Sequence, residues 1–519
     1  MLSLLLSTVA LLSCGGDEPE DVKPDVLRET IVLRSASLAE GSQVDASSIK
    51  TITLSYNTRV AVNPEANITL NGQVVKAQGN SITSMAIDIP VTLEPGTAYT
   101  LKVPSGSVLA VEDATQTAPA LTLSFTTKKS GEQALPDNDA MALTRRLGFG
   151  WNLGNHFDSY DSNNAAGNYR ITWSQTAPWW DGVNPTEDLY KNLAKAGVKT
   201  VRIPVTWGCY EDMNDGNYTI EPDYMALVRQ NVLWAKAAGL NVVLNTHHDE
   251  YWQDAFAASA NTTVNEETKA RILATWTQIA EAFKDEGEYL ILETFNELNH
   301  NWQRATSGEI RIMNEWNQFA VNAIRATGGG NATRWIAVPS YQSSPGLALR
   351  DGFQIPSDAA GKLIVAVHCY DPYDFTLRNP LSTSWGSEAD KLAVTTLLNR
   401  LKARFIDQNI PCYLGEFGCS RHATEAENRM RDYYLEYFCR AAHFAGLAAC
   451  LWDNFNPGEG SEHHAYFDHV DGSWRDGSEL VVKTMIKAIT STDESYTLES
   501  IKVQGSRFKV QGSRFKILM

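Results

Sequence analysis

Two patterns of apolar and polar positions divide the chain. Over residues 27–128, short runs alternate apolar with polar residues, and turn signals such as Asn71-Gly72 and Pro95-Gly96 separate them. Alternation with a period of two is typical of strands that bury one face, so this segment predicts a small all-β sandwich. The predicted strands are Ile52–Tyr56, Val60–Val62, Ile68–Leu70, Tyr99–Val103 and Leu121–Phe125.

From residue 138 to residue 490 the pattern changes. Eight short apolar runs now alternate with longer segments of helical period, which indicates repeated βα units and an α/β fold. Eight units predict a (β/α)8 TIM barrel. The alternative is an open doubly wound sheet, which usually has fewer strands and a Gly-rich first turn that this chain lacks. The predicted strands are Leu147–Trp151, Thr200–Ile203, Asn241–Asn245, Tyr289–Thr294, Arg334–Val338, Leu363–Val367, Cys412–Gly415 and Ala448–Leu451, and the predicted helices are Asp188–Ala196, Tyr224–Ala238, Asn265–Lys284, Glu309–Ala326, Ala389–Phe405 and Glu425–Ala445.

Polar segments surround these two domains. Residues 14–26 and 129–137 are predicted linkers, and residues 138–490 form the predicted barrel domain. The tail, residues 491–519, repeats one heptapeptide as Lys502–Phe508 and Lys509–Phe515, which is too little for a solenoid. We interpret the tail as a disordered appendage or a translated DNA repeat, with a short sorting segment as the alternative.

The N-terminus has the features of an export signal. Residues 1–13 form an apolar run that is too short to span a bilayer and suits a signal peptide. Leu11-Leu12-Ser13-Cys14 resembles the lipobox of bacterial lipoproteins, although no basic residue precedes the apolar run. The alternative is an apolar terminus with an incidental cysteine. The acidic residues after Cys14 resemble the export tag of Bacteroidetes-type surface lipoproteins, and this implies lipidation of Cys14 and an outer-membrane surface location. Residues 27–128 resemble bacterial Ig-like domains in general pattern.

Composition narrows the class of partner. The chain carries 44 Lys and Arg against 61 Asp and Glu, a net charge of −17, which disfavours nucleic acid and other polyanions. After residue 13 no apolar run reaches the ~20 residues of a membrane span. The chain also contains 14 Trp residues, a number that suits stacking on a flat ligand. The six cysteines besides Cys14 do not have the spacing of a zinc site. The sequence does not decide whether they are buried thiols or form disulfides.

The predicted strand ends carry polar and aromatic residues. In a (β/α)8 barrel the active site lies at the carboxyl ends of the strands. In chain order these ends supply Asn152 and Asn155, Arg202 and Trp207, His247 and His248, Asn296 and Glu297, Ser340 and Tyr341, His368 and Tyr370, Glu416, and Trp452 and Asn454. Seven of the eight ends therefore offer groups suited to chemistry or hydrogen bonding.

Glu297 and Glu416 form the most informative pair. They follow the fourth and seventh strands, which face each other across the mouth of an eight-stranded ring. Paired carboxylates across a cleft are what glycosidic bond cleavage requires, and oxygens about 5–5.5 Å apart make the second carboxylate a nucleophile.

Residues near the two glutamates are expected to give them different protonation states and therefore different roles. Arg202 is expected to lower the pKa of Glu416, and Tyr370 to donate a hydrogen bond to it. Glu297 is expected in a less cationic pocket with a raised pKa, and Asn296 to bind a sugar 2-hydroxyl. The alternative for Arg202 is a simple ion pair at the barrel rim.

Seven segments in a fixed order resemble glycoside hydrolase family 5, most closely subfamily 4. They are Gly150–Asn155, Val201–Trp207, Leu244–His248, Phe295–Glu297, Val367–Tyr370, Gly415–Gly418 and Leu451–Asn454. The resemblance implies that Glu297 is the acid/base and Glu416 the nucleophile. It also implies that the −1 subsite is lined by Arg202, His247, Asn296, His368, Tyr370 and Trp452. Two departures are Leu298, where many relatives have Pro, and His156, which we expect near the glycone side of the groove.

Other candidates have two interpretations each. His247 and His248 would bind a metal only if both reached one ion, and adjacent strand residues point to opposite faces, so we expect His247 in the site and His248 in packing. His463-His464 is interpreted as a loop pair at the barrel mouth, with a metal role as the alternative. Six tryptophans in or near the strand-end loops could either pack within the loops or stack on sugar rings: Trp173, Trp179, Trp180, Trp207, Trp252 and Trp385.

The sequence thus predicts a monomeric, lipid-anchored, retaining endo-β-1,4-glucanase that acts on a cellulose-type glucan, mixed-linkage glucan or xyloglucan. Asn155 is expected to support substrate binding. No Gly-x-Ser-x-Gly elbow or P-loop is present, and no metal, cofactor or nucleic acid is implied. The alternatives are a β-mannanase or xylanase on the same barrel, and a non-catalytic glycan-binding lipoprotein.

Overall fold

The computed structural model describes residues 30–503 except 45, 47–48, 80–83, 95, 112, 129–134, 161–179, 213, 250–255, 257–261 and 301, and at 262–264 it describes the backbone alone. The predicted signal peptide, Cys14, the first linker and most of the repeated tail lie outside the described residues. The chain divides into two compact units, residues 1–129 and 130–519, and the division falls inside the predicted second linker.

The first unit is a small two-sheet β domain. One sheet has the strand order β1-β3-β8-β7 and the other has the order β2-β11-β9-β5-β6, while β4 pairs with β10. The strands are β1 (Leu33–Ala36), β2 (Gln43–Val44), β3 (Thr51–Tyr56), β4 (Val60–Val62), β5 (Thr69–Leu70), β6 (Gln73–Val74), β7 (Gln78–Gly79), β8 (Ala86–Pro90), β9 (Ala98–Val103), β10 (Val108–Ala110) and β11 (Leu121–Thr127).

Alternation accounts for the core of this unit. In β3 every second side chain is buried, and Leu54 packs in one core cluster with Leu101 of β9 and Phe125 of β11, so both sheets contribute to a single core. Asn71 and Gly72 have φ values of 50° and 80° in the turn between β5 and β6, as a tight hairpin turn requires. The sequence analysis missed β8, whose five residues give a short alternation.

The second unit contains a closed, parallel, eight-stranded barrel, which excludes the open-sheet alternative and confirms the predicted TIM barrel. Each strand pairs parallel with the next, and the first strand closes the ring on the last. The barrel strands are β12 (Phe149–Asn152), β13 (Thr200–Ile203), β16 (Asn241–Asn245), β17 (Leu290–Glu293), β18 (Ile336–Pro339), β19 (Leu363–Cys369), β20 (Cys412–Phe417) and β21 (Ala448–Leu451). The hairpin of β14 (Glu211–Asp212) and β15 (Thr219–Ile220) follows β13.

Helices cover the outside of the barrel. Three of them begin with capping boxes, in which Thr306, Ser387 and Thr424 exchange hydrogen bonds with an acidic residue three positions later. These three helices therefore begin within two residues of their predicted first residues. The longer helices are Asp139–Leu147, Glu187–Ala196, Pro222–Ala237, Thr262–Ala282, Ser307–Ala326, Glu388–Arg404, Glu425–Ala445 and Ser478–Thr490, and the shorter ones are Pro345–Ala348 and Tyr373–Thr376.

The barrel strands are buried on both faces. All seven residues of β19 and all six of β20 are buried, so a polar side chain in these strands lies inside the barrel or under the helices. The six described cysteines are buried, and none forms a disulfide with another described cysteine: Cys209, Cys369, Cys412, Cys419, Cys439 and Cys450. Among the described residues, no helix has both the length and the apolar character needed to cross a membrane.

Candidate active site

Arg202 lies at the centre of the site. It belongs to β13, is fully buried, and all of its nitrogens are engaged. Its Nε and one terminal nitrogen donate to Glu293 Oε1 at 3.0 and 2.7 Å, and the other terminal nitrogen donates to Glu416 Oε1 at 2.7 Å. Asn152 and Asn296 accept through their Oδ1 atoms at 3.0 and 2.8 Å. Burial opposes the charge of Arg202, but the carboxylates of Glu293 and Glu416 raise its pKa. Arg202 therefore joins four strands of the barrel and is no simple rim ion pair.

Glu293 is a functional residue that the sequence analysis missed. It ends β17, is fully buried, and also accepts hydrogen bonds from Asn245 Nδ2 at 3.1 Å and from the Tyr413 hydroxyl. A glutamate inside the apolar run Leu290–Glu293 was the available signal, because a buried carboxylate needs a buried cation.

Glu416 is aimed into the barrel mouth by a bulge in β20. Leu414 pairs with Val367 and Glu416 pairs with His368, so Gly415 is an extra residue on β20. A bulge bends the strand and redirects the side chain beside it. Glu416 is 5% exposed, and its Oε2 accepts a hydrogen bond of 3.0 Å from the Tyr370 hydroxyl.

Glu297 faces Glu416 from the loop after β17. Its Oε1 lies 2.6 Å from His368 Nδ1, and the same nitrogen lies 3.6 Å from Glu416 Oε2. One carboxylate oxygen from each glutamate and one nitrogen of His368 all lie within 4.8 Å of one another. The structure thus brings the two predicted carboxylates together across the mouth.

Burial controls the protonation of these groups. It raises the pKa of Glu297 to about 7, against the charge of Arg202, and it lowers the pKa of His368 to about 4. The pKa of Glu416 is also raised, because burial and the charge of Glu297 outweigh the opposite effects of His368 and Arg202. Arg202 lowers the pKa of Glu416 as expected, but desolvation of the buried carboxylate is the larger effect, so the net pKa is raised.

Asn296, His247 and Trp452 form the surrounding wall. Asn296 uses its oxygen for Arg202, which leaves its amide NH2 as the available donor. His247 Nδ1 lies 3.1 Å from Asn245 Nδ2, whose own oxygen accepts from the amide of Val205. Because Asn245 donates, His247 carries its hydrogen on Nε2. The His247 and Trp452 rings are nearly parallel, with 4° between their planes and centroids 6.0 Å apart.

The adjacent histidines do not point to opposite faces, and that expectation was wrong. Their ring centroids are 4.4 Å apart, because both residues follow the end of β16, where strand alternation no longer holds. Ring nitrogens of both and a carboxylate oxygen of Asp158 lie within 4.8 Å of one another. In His247 the Nε2 atom carries the hydrogen and has no lone pair for a metal, and the lone pair of Nδ1 accepts from Asn245. These three residues therefore do not fit a cation well.

Asn155 is held through its backbone, and the prediction that its side chain supports substrate binding stays a prediction, whereas His156 is buried against the protein. The backbone NH of Asn155, which has a φ of 61°, donates to Asp158 Oδ2 at 3.0 Å, and its carbonyl accepts from the amide of Asp181 at 2.9 Å. His156 is 1% exposed, with Nδ1 3.0 Å from Asp181 Oδ2. The structure therefore places His156 below the groove surface, where it supports the first loop.

The tryptophans separate into two groups. Trp207 and Trp385 are buried, so loop packing applies to both. Trp180 is 46% exposed, and Trp302, which the sequence analysis did not single out, is 65% exposed in the loop that follows Glu297. Trp173, Trp179 and Trp252 lie outside the described residues. Exposed indoles beside a cleft are suited to cover sugar rings.

Comparison with known proteins agrees with this geometry. A model of the cellulase family, glycosyl hydrolase family 5, matches residues 160–458. The chain belongs to glycosyl hydrolase family 5. Among its family 5 relatives, endoglucanase A of Clostridium longisporum is 32% identical over 332 residues, which cover 62% of this chain and 60% of that protein. Endoglucanase B of Neocallimastix patriciarum is 33% identical over 340 residues, 64% of this chain and 68% of that protein.

Solved family 5 structures are similar over the second unit. A Bacteroidetes-affiliated GH5 cellulase linked with a polysaccharide utilization locus is 34% identical, with a TM-score of 0.62, and the match covers 70% of this chain and 97% of that one. A GH5-4 broad specificity endoglucanase from Bacteroides salanitronis is 35% identical, with a TM-score of 0.61, over 69% of this chain and 97% of that one. The matched part of this chain thus spans almost the whole of each solved family 5 domain.

Proposed function

We propose that this protein is a retaining endo-β-1,4-glucanase in which Glu297 is the acid/base and Glu416 the nucleophile. The observation that carries this proposal is the pair of carboxylate oxygens within 4.8 Å of each other at the barrel mouth. Retaining glycosidases place their carboxyl groups about 5–5.5 Å apart, whereas inverting enzymes need about 6.5–9.5 Å to admit a water molecule.

In the first step Glu416 attacks the anomeric carbon while Glu297 gives its proton to the glycosidic oxygen. The C–O bond to the leaving sugar breaks, and a glycosyl ester forms on Glu416. The pKa of about 7 keeps Glu297 protonated in weakly acidic solution, as a general acid requires. Arg202 and Tyr370 hold one oxygen each of Glu416 and fix its direction of attack.

In the second step a water molecule replaces the departed sugar. Glu297, now ionised, takes a proton from this water, and the hydroxide attacks the anomeric carbon from the face that the first sugar left. The ester bond to Glu416 breaks, and the sugar is released with its original configuration. His368 bonds to Glu297 and also approaches Glu416, so it holds the acid/base in place through both steps.

The relatives favour a β-glucan as substrate. The curated relatives named above are endoglucanases, and the Bacteroides salanitronis enzyme is a broad specificity endoglucanase. Solved family 5 structures include a lichenase with cellotetraose and a further enzyme with cellotriose. We propose that the NH2 group of Asn296 and the Nε2 hydrogen of His247 bind sugar hydroxyls, and that Trp452, Trp180 and Trp302 stack on sugar rings.

A parallel substrate assay tests the activity. The purified protein is incubated with mixed-linkage β-glucan, xyloglucan, carboxymethylcellulose, β-mannan and xylan, and reducing ends and product lengths are measured. We expect short oligosaccharides from one or more glucans, with early loss of viscosity. Preferred cleavage of mannan or xylan would replace the glucanase assignment with the corresponding alternative. Binding of glucan without product would favour a glycan-binding protein.

Two variants separate the roles of the carboxylates. Glu297→Gln should cleave polymeric glucan at least about 10²-fold more slowly, since general acid catalysis contributes about 10²–10⁴-fold. On dinitrophenyl cellobioside, whose leaving group needs no proton, it should retain the kcat/KM of the first step, while steady-state turnover slows because Glu297 is also the base of the second step. Glu416→Gln should lose both activities. Equal losses on both substrates in the two variants would contradict the assigned roles, and NMR of the first product from wild type should show the retained anomer.

We further propose that the protein is anchored to the cell envelope through lipid on Cys14. The support is the sequence before and after this cysteine, which lies outside the described residues. Expression of the full chain in a bacterial host with an alkyne-labelled fatty acid should label the wild type but not Cys14→Ser. Equal labelling, or none, would contradict the proposal without affecting the enzymatic assignment.

A further inference from the structure

A further carboxyl group, that of Glu462, lies in a loop bonded to residues just beyond the ends of β20 and β21, beside the active site. It belongs to the loop after β21, which returns over the ends of the strands that carry Glu416 and Trp452. Glu462 is exposed and has a φ of 61°, a left-handed conformation that is unusual for a residue other than glycine, asparagine or aspartate. Non-glycine residues held in this region cluster at ligand-binding and catalytic sites.

The backbone of Glu462 is fixed by three hydrogen bonds from two strand ends. Its amide donates to Ser420 Oγ at 3.2 Å, just beyond β20. Its carbonyl accepts from the side chains of Asn454 and Asn456, each at 2.9 Å, just beyond β21. Ser420 Oγ also bonds to His464 Nε2 at 3.2 Å, and the His464 ring packs edge-on against Tyr370. The loop is therefore held to the catalytic centre while the Glu462 side chain reaches solvent.

The charge of Glu462 acts on the catalytic pair. Surrounding protein displaces enough water to raise the pKa of Glu462, and the charges of Glu416 and Glu297 raise it further, to about 7. Glu462 in turn contributes to the raised pKa of Tyr370. The titratable groups around Glu462 are thus Glu297 after β17, Tyr370 after β19, Glu416 in β20 and the neighbouring histidines of its own loop.

We propose that Glu462 is a specificity-determining residue, whose carboxylate accepts hydrogen bonds from the hydroxyls of a neutral sugar and repels a sugar that carries a negative charge. This inference rests on the proposed function. The site already holds the carboxylates of Glu293 and Glu416 against one buried cation, Arg202, so another anion beside it meets repulsion that a neutral hydroxyl avoids. The expected preference is for uncharged glucan chains over chains that bear carboxyl groups.

The same loop supplies a matched control. Glu459 is exposed like Glu462, but it lines a separate cavity of about 310 Å³ beside Arg421 and Arg475. Glu459→Gln removes the same charge from the same loop at a different place. Both substitutions keep the shape of the side chain and one accepting oxygen, while an NH2 donor replaces the second oxygen, so neither should change the fold.

The experiment compares wild type, Glu462→Gln and Glu459→Gln on mixed-linkage β-glucan and on carboxymethylcellulose at pH 8, where the Glu462 carboxyl group is mostly ionised. The measured quantity is the ratio of kcat/KM on the anionic polymer to that on the neutral polymer. We expect Glu462→Gln to raise this ratio about fivefold at 10 mM salt, as removal of one like charge several ångströms away implies. The gain should shrink at 300 mM salt, where screening acts over a few ångströms. Glu459→Gln should leave the ratio within about twofold of wild type.

Two further results make the inference decisive. The alkaline limb of kcat/KM on neutral glucan should move to lower pH in Glu462→Gln alone, because Glu297 then ionises beside one negative charge fewer. An unchanged ratio, or an equal rise in Glu459→Gln, would overturn the role of Glu462. If wild type cleaves no neutral glucan, the proposed function itself fails. Calorimetry then compares the affinity for cellotetraose with the affinity for a cello-oligosaccharide that bears one uronic acid. This tests whether Glu462 disfavours binding of the anionic ligand.

Discussion

The decisive feature at the scale of single residues is the hydrogen bonding of Arg202. A buried guanidinium with all its donors engaged to two carboxylates and two amides is a fixed point from which Glu416 and Asn296 take their positions. Arginine suits this task because its planar donors have fixed directions, whereas lysine offers three donors on a flexible chain.

Arg202→Lys should therefore fold with reduced stability and lose at least about 10²-fold in kcat, since catalytic groups misplaced by about 1 Å cost that much. Each buried acceptor left without a partner costs about 1–3 kcal/mol. Steady-state kinetics and thermal unfolding measure both effects. Arg311→Lys, in a pair on an exposed helix surface, is the control and should change neither. Wild-type kcat in Arg202→Lys would contradict the positioning role.

The two raised carboxyl pKa values predict a bell-shaped pH profile. Glu297 must hold a proton, so kcat/KM should fall as the pH rises through about 7. Glu416 must be ionised, and its pKa is raised, so activity should also fall towards acid pH. Rates on mixed-linkage glucan from pH 4 to pH 9 measure both limbs. A rate that stays constant from pH 6 to pH 9 would exclude Glu297 as a general acid with this pKa.

At the scale of elements, the bulge in β20 determines where the carboxylates meet. Gly415 is the extra residue, and a Cβ added there would lie 2.9 Å from His368 Nε2 and 3.3 Å from the Tyr413 hydroxyl. His368 holds Glu297, and Tyr413 holds Glu293. The missing side chain of Gly415 thus leaves room for both contacts.

Gly415→Ala should lower kcat by about 10- to 100-fold with little change in KM, because the His368 ring must move and takes Glu297 with it. Initial rates and circular dichroism measure activity and fold. Gly287→Ala, whose added carbon would meet its nearest neighbour at 3.9 Å, is the control and should retain full activity. Wild-type kcat in Gly415→Ala would show that the site tolerates the displacement.

At the scale of the whole molecule, a buried ionic network joins the first and last strands of the barrel. Asp453 after β21 accepts from the indole of Trp151 in β12 at 2.9 Å, and His469 lies between Asp453 and Asp181 at 3.4 and 3.1 Å. Burial alone lowers the pKa of His469, but hydrogen bonds and charges from the two aspartates raise it to about 9. The protonated imidazole therefore contributes to closure of the ring.

This network predicts a pH-dependent stability. The folded pKa of His469 lies above the unfolded value of about 6.5, so its contribution is complete below pH 6.5 and is lost as the pH rises through about 9. The Tm of the wild type should fall by several degrees between pH 7 and pH 9.5. His469→Gln should be less stable at pH 7 and show a smaller fall, by calorimetry at both pH values. Parallel losses in the two proteins would assign the pH effect to other groups.

The sequence alone determined the barrel and the identity of its principal side chains. Eight apolar runs and their intervening helices were readable because burial of parallel strands imposes continuous apolar segments and helices impose their own period. The positions at the ends of those runs identified Arg202, Glu297, His368 and Glu416. The carboxyl ends of all the strands lie at one end of the barrel, whatever the conformation of the loops.

The tertiary structure determined which side chains contact one another and how these contacts shift their pKa values. Burial outweighed the lowering effect of Arg202 on the pKa of Glu416, and the end of β16 brought the rings of His247 and His248 together. Closure of the barrel revealed Glu293 as a partner of Arg202, and the return of a long loop brought Glu462 to the catalytic pair. Desolvation and proximity depend on every group that surrounds a side chain in space, and local sequence pattern carries no record of neighbours that are distant along the chain.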